Sequence, residues 1–172
     1  MDDTLLLLRG TLRYSRAVTT RGIEKLKEER IPFQVLTYIH DDAKGARAAA
    51  GALALPEEIT VKSLVFQADD RSYLFALMAS DGTVSEKKLA RVAGRRRVSP
   101  ALPRDAERVT GYEIGGISPL GAKRPLPVVL DRGAAAHPDV AINAGARGTL
   151  VRLATPDLIR ITGAVVADIR VE

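Results

Sequence analysis

A lysine stands inside an apolar run, Ile59-Thr60-Val61-Lys62-Ser63-Leu64-Val65-Phe66-Gln67. Alternate residues of an extended segment share a face. Lys62 therefore points with Leu64 and Phe66, while Val61 and Val65 make the opposite face apolar too. Two placements suit such a lysine. On an edge, its stem covers apolar surface and its ammonium reaches water. In a cleft, it anchors a phosphate or carboxylate, or acts as a base of lowered pKa. The pattern leaves both open.

A second candidate is the loop Gly115-Gly116-Ile117-Ser118-Pro119. It lies in GYEIGGISPLGAKRPLPVVLD, residues 111–131, which holds glycines at 111, 115, 116 and 121 and prolines at 119, 125 and 127. Consecutive glycines let backbone N–H groups converge on an anion or a carbonyl oxygen. The plainer reading is a tight structural turn. The stretch matches neither the phosphate loop nor the dinucleotide fingerprint, because no Gly-Lys-Ser/Thr follows and the spacing differs.

Other chemistries find little support. The chain has no cysteine, which excludes disulfides, thiolate metal sites and a thiol nucleophile, and fits a reducing cytosol. His40 and His137 lie in no metal-ligand spacing, so neither metal nor cofactor is expected. Ser118 has no evident His/Asp system to form a triad. The net charge of +5 favours partners with phosphate, or simply keeps the chain soluble. Gly94-Arg95-Arg96-Arg97 reads as a solvated basic face or as a contact for a nucleic-acid backbone. The apolar run Leu5–Leu8 is too short to span a membrane and follows Asp2 and Asp3, the wrong sign for a signal peptide.

The elements that must position these residues can be read from period and punctuation. Thr20 caps a helix to about Arg30, stopped by Pro32. Residues 33–39 read as a strand, and the alanine-rich stretch 41–56 as a helix ended by Pro56. Residues 59–67, apolar on both faces, predict a central strand with 73–79 as its hairpin partner. Ser85 caps a helix through Ala93, closed by Gly94. Residues 95–101 hold a short strand, and Pro103 opens a helix ending near Thr110. LPVVLD, VAINAG and GTLVRL are strands. Thr155-Pro156-Asp157 opens a last helix that Gly163 ends, and AVVADIRV closes the chain as a strand. Strands and short helices mix without βαβ alternation, which predicts an α+β fold with a mixed sheet. Length favours one domain over residues 20–172, with 1–19 as a loosely attached extension.

Together, "TYIHD", "EEITVKSLVF", "GYEIGGISPLGAKRPLPVVLD", "INAGARG" and "DLIRITGAVVADI" resemble the YbaK/prolyl-tRNA synthetase editing-domain family, from about Ile23 to Ile169. The likeness is closest to the freestanding YbaK-type Cys-tRNA(Pro) deacylases. It implies a strongly curved mixed sheet with short flanking helices. It also implies hydrolysis of the ester joining a wrong amino acid to the 3′ adenosine of tRNA, in the cytoplasm, with the tRNA CCA end and prolyl-tRNA synthetase as partners. Ala-tRNA(Pro) is the alternative substrate, and a non-catalytic tRNA- or synthetase-binding module the alternative role.

By the same resemblance Lys62 falls at the functional lysine, with Ser63 beside it where the family often has threonine. Gly115 to Pro119 match the substrate loop of glycine, three residues and proline, which carries Gly116, Ile117 and Ser118. Tyr38 matches an aromatic position lining the pocket, and Asn143 and Gly145, in the matching "INAGARG" stretch, are expected with Ser63 among the substrate contacts. The sequence departs from some members in a shorter helix after Asp41 that lacks a pocket phenylalanine, and in Leu150, where some carry an acidic residue. The substrate's own thiol or 2′-hydroxyl is implied to assist, which suits a chain without a triad. Gly115 and Gly116 are then expected to matter for turnover more than for stability, with their N–H groups steadying the oxyanion.

Overall fold

Segments of period two become strands, and all of them join one mixed eight-stranded sheet. The structure is a computed structural model that describes residues 18–40 and 45–172. The expected N-terminal extension falls almost wholly outside the described residues, as does the expected start of the helix after Asp41. The strands are β1 (Phe33–Thr37), β2 (Thr60–Ala68), β3 (Tyr73–Ala79), β4 (Val98–Pro100), β5 (Val128–Asp131), β6 (Asp139–Ala146), β7 (Thr149–Ala154) and β8 (Val165–Ala167). The helices are α1 (Arg21–Glu28), α2 (Gly45–Ala52), α3 (Glu86–Val92), α4 (Pro103–Thr110), α5 (Arg132–Ala135) and α6 (Thr155–Thr162). The sheet order is β1-β7-β6-β2-β3-β5-β8, with β4 beside β2.

Local signals explain most boundaries. The Thr20 hydroxyl accepts the Ile23 N–H at the start of α1, and the Ser85 hydroxyl accepts the Lys88 N–H at α3. Gly111 and Gly163 close α4 and α6 in the left-handed conformation. Two expectations change. The closing strand pairs only over Val165–Ala167, after which Arg170 makes an isolated bridge to Val84. The four-residue α5, capped by Asp131 onto the Gly133 N–H, was not foreseen, because one turn leaves no hydrophobic period to read.

The two faces of the sheet carry separate cores. Val61, Val65, Phe75 and Leu77 pack with Leu26 of α1, Val109 of α4 and Leu158 of α6. Phe66, Ala76 and Met78 on the other face pack with Leu89 of α3 and Ile169. A smaller cluster on Ala49 of α2 joins Ala141 and Leu150.

For function the decisive feature is the pairing of β2. Its β3 edge is paired without a break from Val61 to Gln67. On its other edge β6 runs alongside at Thr60 and Val61 only, and β4 joins at Phe66 to Ala68. Between them only Val65 finds a partner, its carbonyl accepting the Ala101 N–H at 2.9 Å. The register of β6 against β7 shifts between Asn143 and Ala146, and this bulge turns β6 away from β2. The sheet is therefore notched at Lys62, Ser63 and Leu64.

Candidate active site

The notch opens into a cavity of about 360 Å³. Lys62, Ser63 and Leu64 form its floor. Tyr38 and His40 after β1, Ala49 of α2, Leu150 of β7, and Ile114, Gly115 and Ile117 of the glycine-rich loop form its walls. That volume sits at the lower end of small-molecule pockets.

Lys62 is in the cleft rather than on an edge. Its side chain is half-buried, and Nζ donates to the Gly82 carbonyl at 2.5 Å. Burial pulls its pKa below the ordinary lysine value of 10.5; Arg47 and Arg170 act in the same direction, and Asp81 opposes them. An ammonium has three donors. One is fixed on Gly82, which leaves two for a ligand. Beside it, the Ser63 hydroxyl oxygen is buried with no hydrogen-bond partner among the described residues.

The structure splits the glycine pair. Gly115 lines the cavity with φ of +91°, a conformation that L side chains resist, and a β-carbon there would fall 3.0 Å from His40 Nε2. Its N–H and those of Ile117 and Ser118 have no partner among the described residues. Gly116 is buried behind the wall, and its N–H already donates to the Glu113 carbonyl at 2.9 Å. It is thus committed to a turn and not available to an oxyanion. A β-carbon at Gly116 would lie 3.2 Å from backbone atoms of Ala146. Gly116→Val is therefore expected to cost about 1–3 kcal/mol of stability, read as a fall of several degrees in Tm. An unchanged Tm would mean that the loop lifts freely off the β6–β7 hairpin.

Ser118 and Pro119 do not line the cavity. The Ser118 hydroxyl, fully buried, accepts the Leu120 N–H at 3.1 Å and shapes the loop from within. Asn143 ties the loop to the sheet. Its Nδ2 donates to the Gly115 carbonyl at 2.9 Å and to the Ala146 carbonyl at 3.2 Å, while Oδ1 accepts the Gly145 N–H at 2.7 Å. Gly145 also faces away from the cavity, with its α-carbon against the Tyr112 ring, where a β-carbon would lie 2.5 Å from the ring edge. Tyr112 in turn donates to the Leu120 carbonyl at 2.6 Å and lies under the Arg21 guanidinium, 4.5 Å from the ring centroid. Gly145 and Tyr112 thus brace the loop from behind.

Residues 40–161 match the aminoacyl-tRNA editing domain. The chain belongs to that family. As an editing domain it is 26% identical over 151 residues to a protein of Enterococcus faecalis provisionally named as the Cys-tRNA(Pro)/Cys-tRNA(Cys) deacylase EbsC, covering 87% of this chain and 92% of that one. It is 34% identical over 112 residues to a proline–tRNA ligase of Trichlorobacter lovleyi, 64% of this chain but 19% of the ligase. Among solved structures, one described provisionally as a trans-editing enzyme for prolyl-tRNA synthetase superposes with a TM-score of 0.76 at 26% identity, covering 91% of this chain and 100% of that one. The α+β fold with a mixed sheet is that of these relatives.

Sequence reasoning about this editing domain passed over His40, which it weighed only as a metal ligand. The signal lay in spacing: Tyr38 and His40 alternate along an extended segment and so reach the same cavity, with Tyr38 Oη 3.4 Å from His40 Nδ1. Burial raises the Tyr38 pKa, so its hydroxyl stays protonated near neutrality. Among the described residues no helix is long and apolar enough to cross a membrane.

Proposed function

We propose that the protein hydrolyses mischarged tRNA in trans, with Cys-tRNA(Pro) as the preferred substrate. The observation that carries this reading is the notch in β2, which brings the Lys62 ammonium and the Gly115 edge of the loop to one small cavity. An aminoacyl ester is already activated, so orientation can replace a strong nucleophile. In this reading the two remaining donors of Lys62 hold the terminal phosphate or ribose. Gly115 and Ile117 line the cavity with N–H groups that have no partner among the described residues, and in this reading those groups steady the developing oxyanion. Water, assisted by the neighbouring 2′-hydroxyl or the substrate thiol, attacks the carbonyl carbon. The ester C–O bond breaks, and the ribose oxygen leaves with a proton.

The wall supports a small uncharged side chain. Leu150 is buried and apolar, and Ala49 is small. Cysteine and alanine both fit that description. The likeness to EbsC favours cysteine and leaves Ala-tRNA(Pro) as the alternative. Catalysis and mere binding separate under excess substrate: an enzyme discharges many tRNAs per chain, and a binding module discharges none above the spontaneous rate.

The tRNA body needs a surface beyond the cavity. Lys87 and Arg91 of α3 and Arg95, Arg96 and Arg97 of the connection to β4 line a shallow groove, and β4 runs from Val98 in that groove to Pro100 at the cavity. Arg95 is paired with Asp70 and Arg96 with Asp69, each at 3.1 Å, while Arg91 and Arg97 have no ion pair among the described residues. Arg91→Glu combined with Arg97→Glu is expected to weaken tRNA binding equally for charged and uncharged tRNA and to flatten the salt dependence by about 1–2 units of slope. Affinity that does not change between low and moderate salt would remove the groove from the account.

A further inference from the structure

We propose that Arg170 positions Lys62, by fixing the turn whose carbonyl receives the lysine. This rests on the reading that Lys62 acts on the substrate. Lys62 is bound to the Gly82 carbonyl, and Gly82 follows Asp81 in the turn between β3 and α3. Arg170 Nη2 donates to Asp81 Oδ1 at 2.6 Å. The guanidinium also lies directly on Gly82, where a β-carbon would fall 2.7 Å from Nη2 and 2.9 Å from Nε. The backbone clamps the same region on both sides of Arg170: the Ser85 N–H donates to the Ile169 carbonyl at 2.7 Å, and the Val171 N–H to the Thr83 carbonyl at 2.9 Å.

Arg170 Nε is buried without a hydrogen-bond partner among the described residues. A buried unpaired donor costs stability, a cost the Nη2 ion pair with Asp81 offsets while it keeps the guanidinium on Gly82. A lysine side chain has four flexible carbons and much rotamer freedom to lose on ordering. A carbonyl held still at Gly82 restricts that freedom before substrate arrives.

The test combines a readout that needs no turnover with one that does. Trace acetylation of the Lys62 amine is followed by peptide mass spectrometry in wild type, Arg170→Ala, Arg170→Lys and Asp81→Asn, with Lys88 as internal reference. With each rate referred to the free-amine fraction, taken from the pH dependence of labelling in the same variant, Lys62 is expected to label several-fold faster in Arg170→Ala and Asp81→Asn, and near the wild-type rate in Arg170→Lys, which keeps a cation for Asp81. Single-turnover deacylation is then expected to slow about tenfold in Arg170→Ala, and to show no further loss when Arg170→Ala is added to Lys62→Ala. Unchanged labelling, or the same fold-loss in both backgrounds, would overturn the proposal. Wild-type protein that labels as expected but discharges no tRNA would count against the proposed reaction and not against the positioning.

Discussion

Lys62→Ala is expected to lower kcat/KM for deacylation about a hundredfold or more, the scale of losing orientation at a reacting centre, while Tm stays within a few degrees of wild type. The two halves of this expectation have one cause. Burial lowers the pKa of Lys62, so the folded protein holds the charged amine at a cost. Removing it forfeits one hydrogen bond to Gly82 and relieves that cost. Stability therefore changes little while the substrate loses its cation. The pH dependence follows with a definite sign. Between the lowered folded pKa and the unfolded value of 10.5, the unfolded chain binds a proton that the folded chain does not. This group's contribution to stability thus rises with pH across that window, and the rise is absent in Lys62→Ala. The catalysed rate, corrected for spontaneous ester hydrolysis, is expected to fall in the same window, at lower pH than an ordinary lysine would give. A folded variant with near-normal turnover would remove Lys62 from the chemistry.

Asn143→Ala is expected to have the next largest effect, about 30- to 100-fold on turnover with a loss of about 1–3 kcal/mol in stability. The side chain makes three bonds that no neighbour can replace, to the Gly115 and Ala146 carbonyls and from the Gly145 N–H. Without them the cavity edge of the loop is free to shift relative to Lys62. Asn143→Asp separates the contributions. The aspartate still accepts the Gly145 N–H, but it faces the two carbonyl oxygens with a negative charge and no donor. It is expected to be at least as slow as the alanine variant. Full activity and an unchanged Tm in both variants would show that the remaining contacts, at Ala146, through Tyr112 and from Arg147 Nε to the Ile114 carbonyl, hold the loop without Asn143.

Residue type made the two centres of the site legible: a lysine in an apolar strand, and glycines where no helix or strand needs them. What it left open was direction. The choice between edge and cleft for Lys62 depends on β6 leaving β2 after Val61, a bulge whose cause lies some eighty residues further along the chain. Likewise, Gly115 and Gly116 are the same residue type in the same loop. Only the long-range contact with Ala146 turns one to the cavity and the other to the hairpin. Asn143 and Gly145 were marked as substrate contacts because they lie in a recognisable stretch. The structure puts Asn143 in the cavity lining, with its side chain on the loop backbone, whereas Gly145 lies outside that lining against Tyr112. The end of the chain read as a strand from its β-branched residues, yet it leaves the sheet after Ala167 and reaches the turn beside Lys62.

The most direct measurement is discharge of a panel of purified tRNA(Pro) species under excess substrate, with Cys-tRNA(Pro), Ala-tRNA(Pro) and Pro-tRNA(Pro) compared on the same enzyme. Multiple turnovers on Cys-tRNA(Pro), slower discharge of Ala-tRNA(Pro) and protection of Pro-tRNA(Pro) are the pattern the proposed function expects, the cavity admitting a small side chain and the likeness to EbsC favouring cysteine over alanine. Discharge of none of the three above the spontaneous rate would contradict the account at its centre.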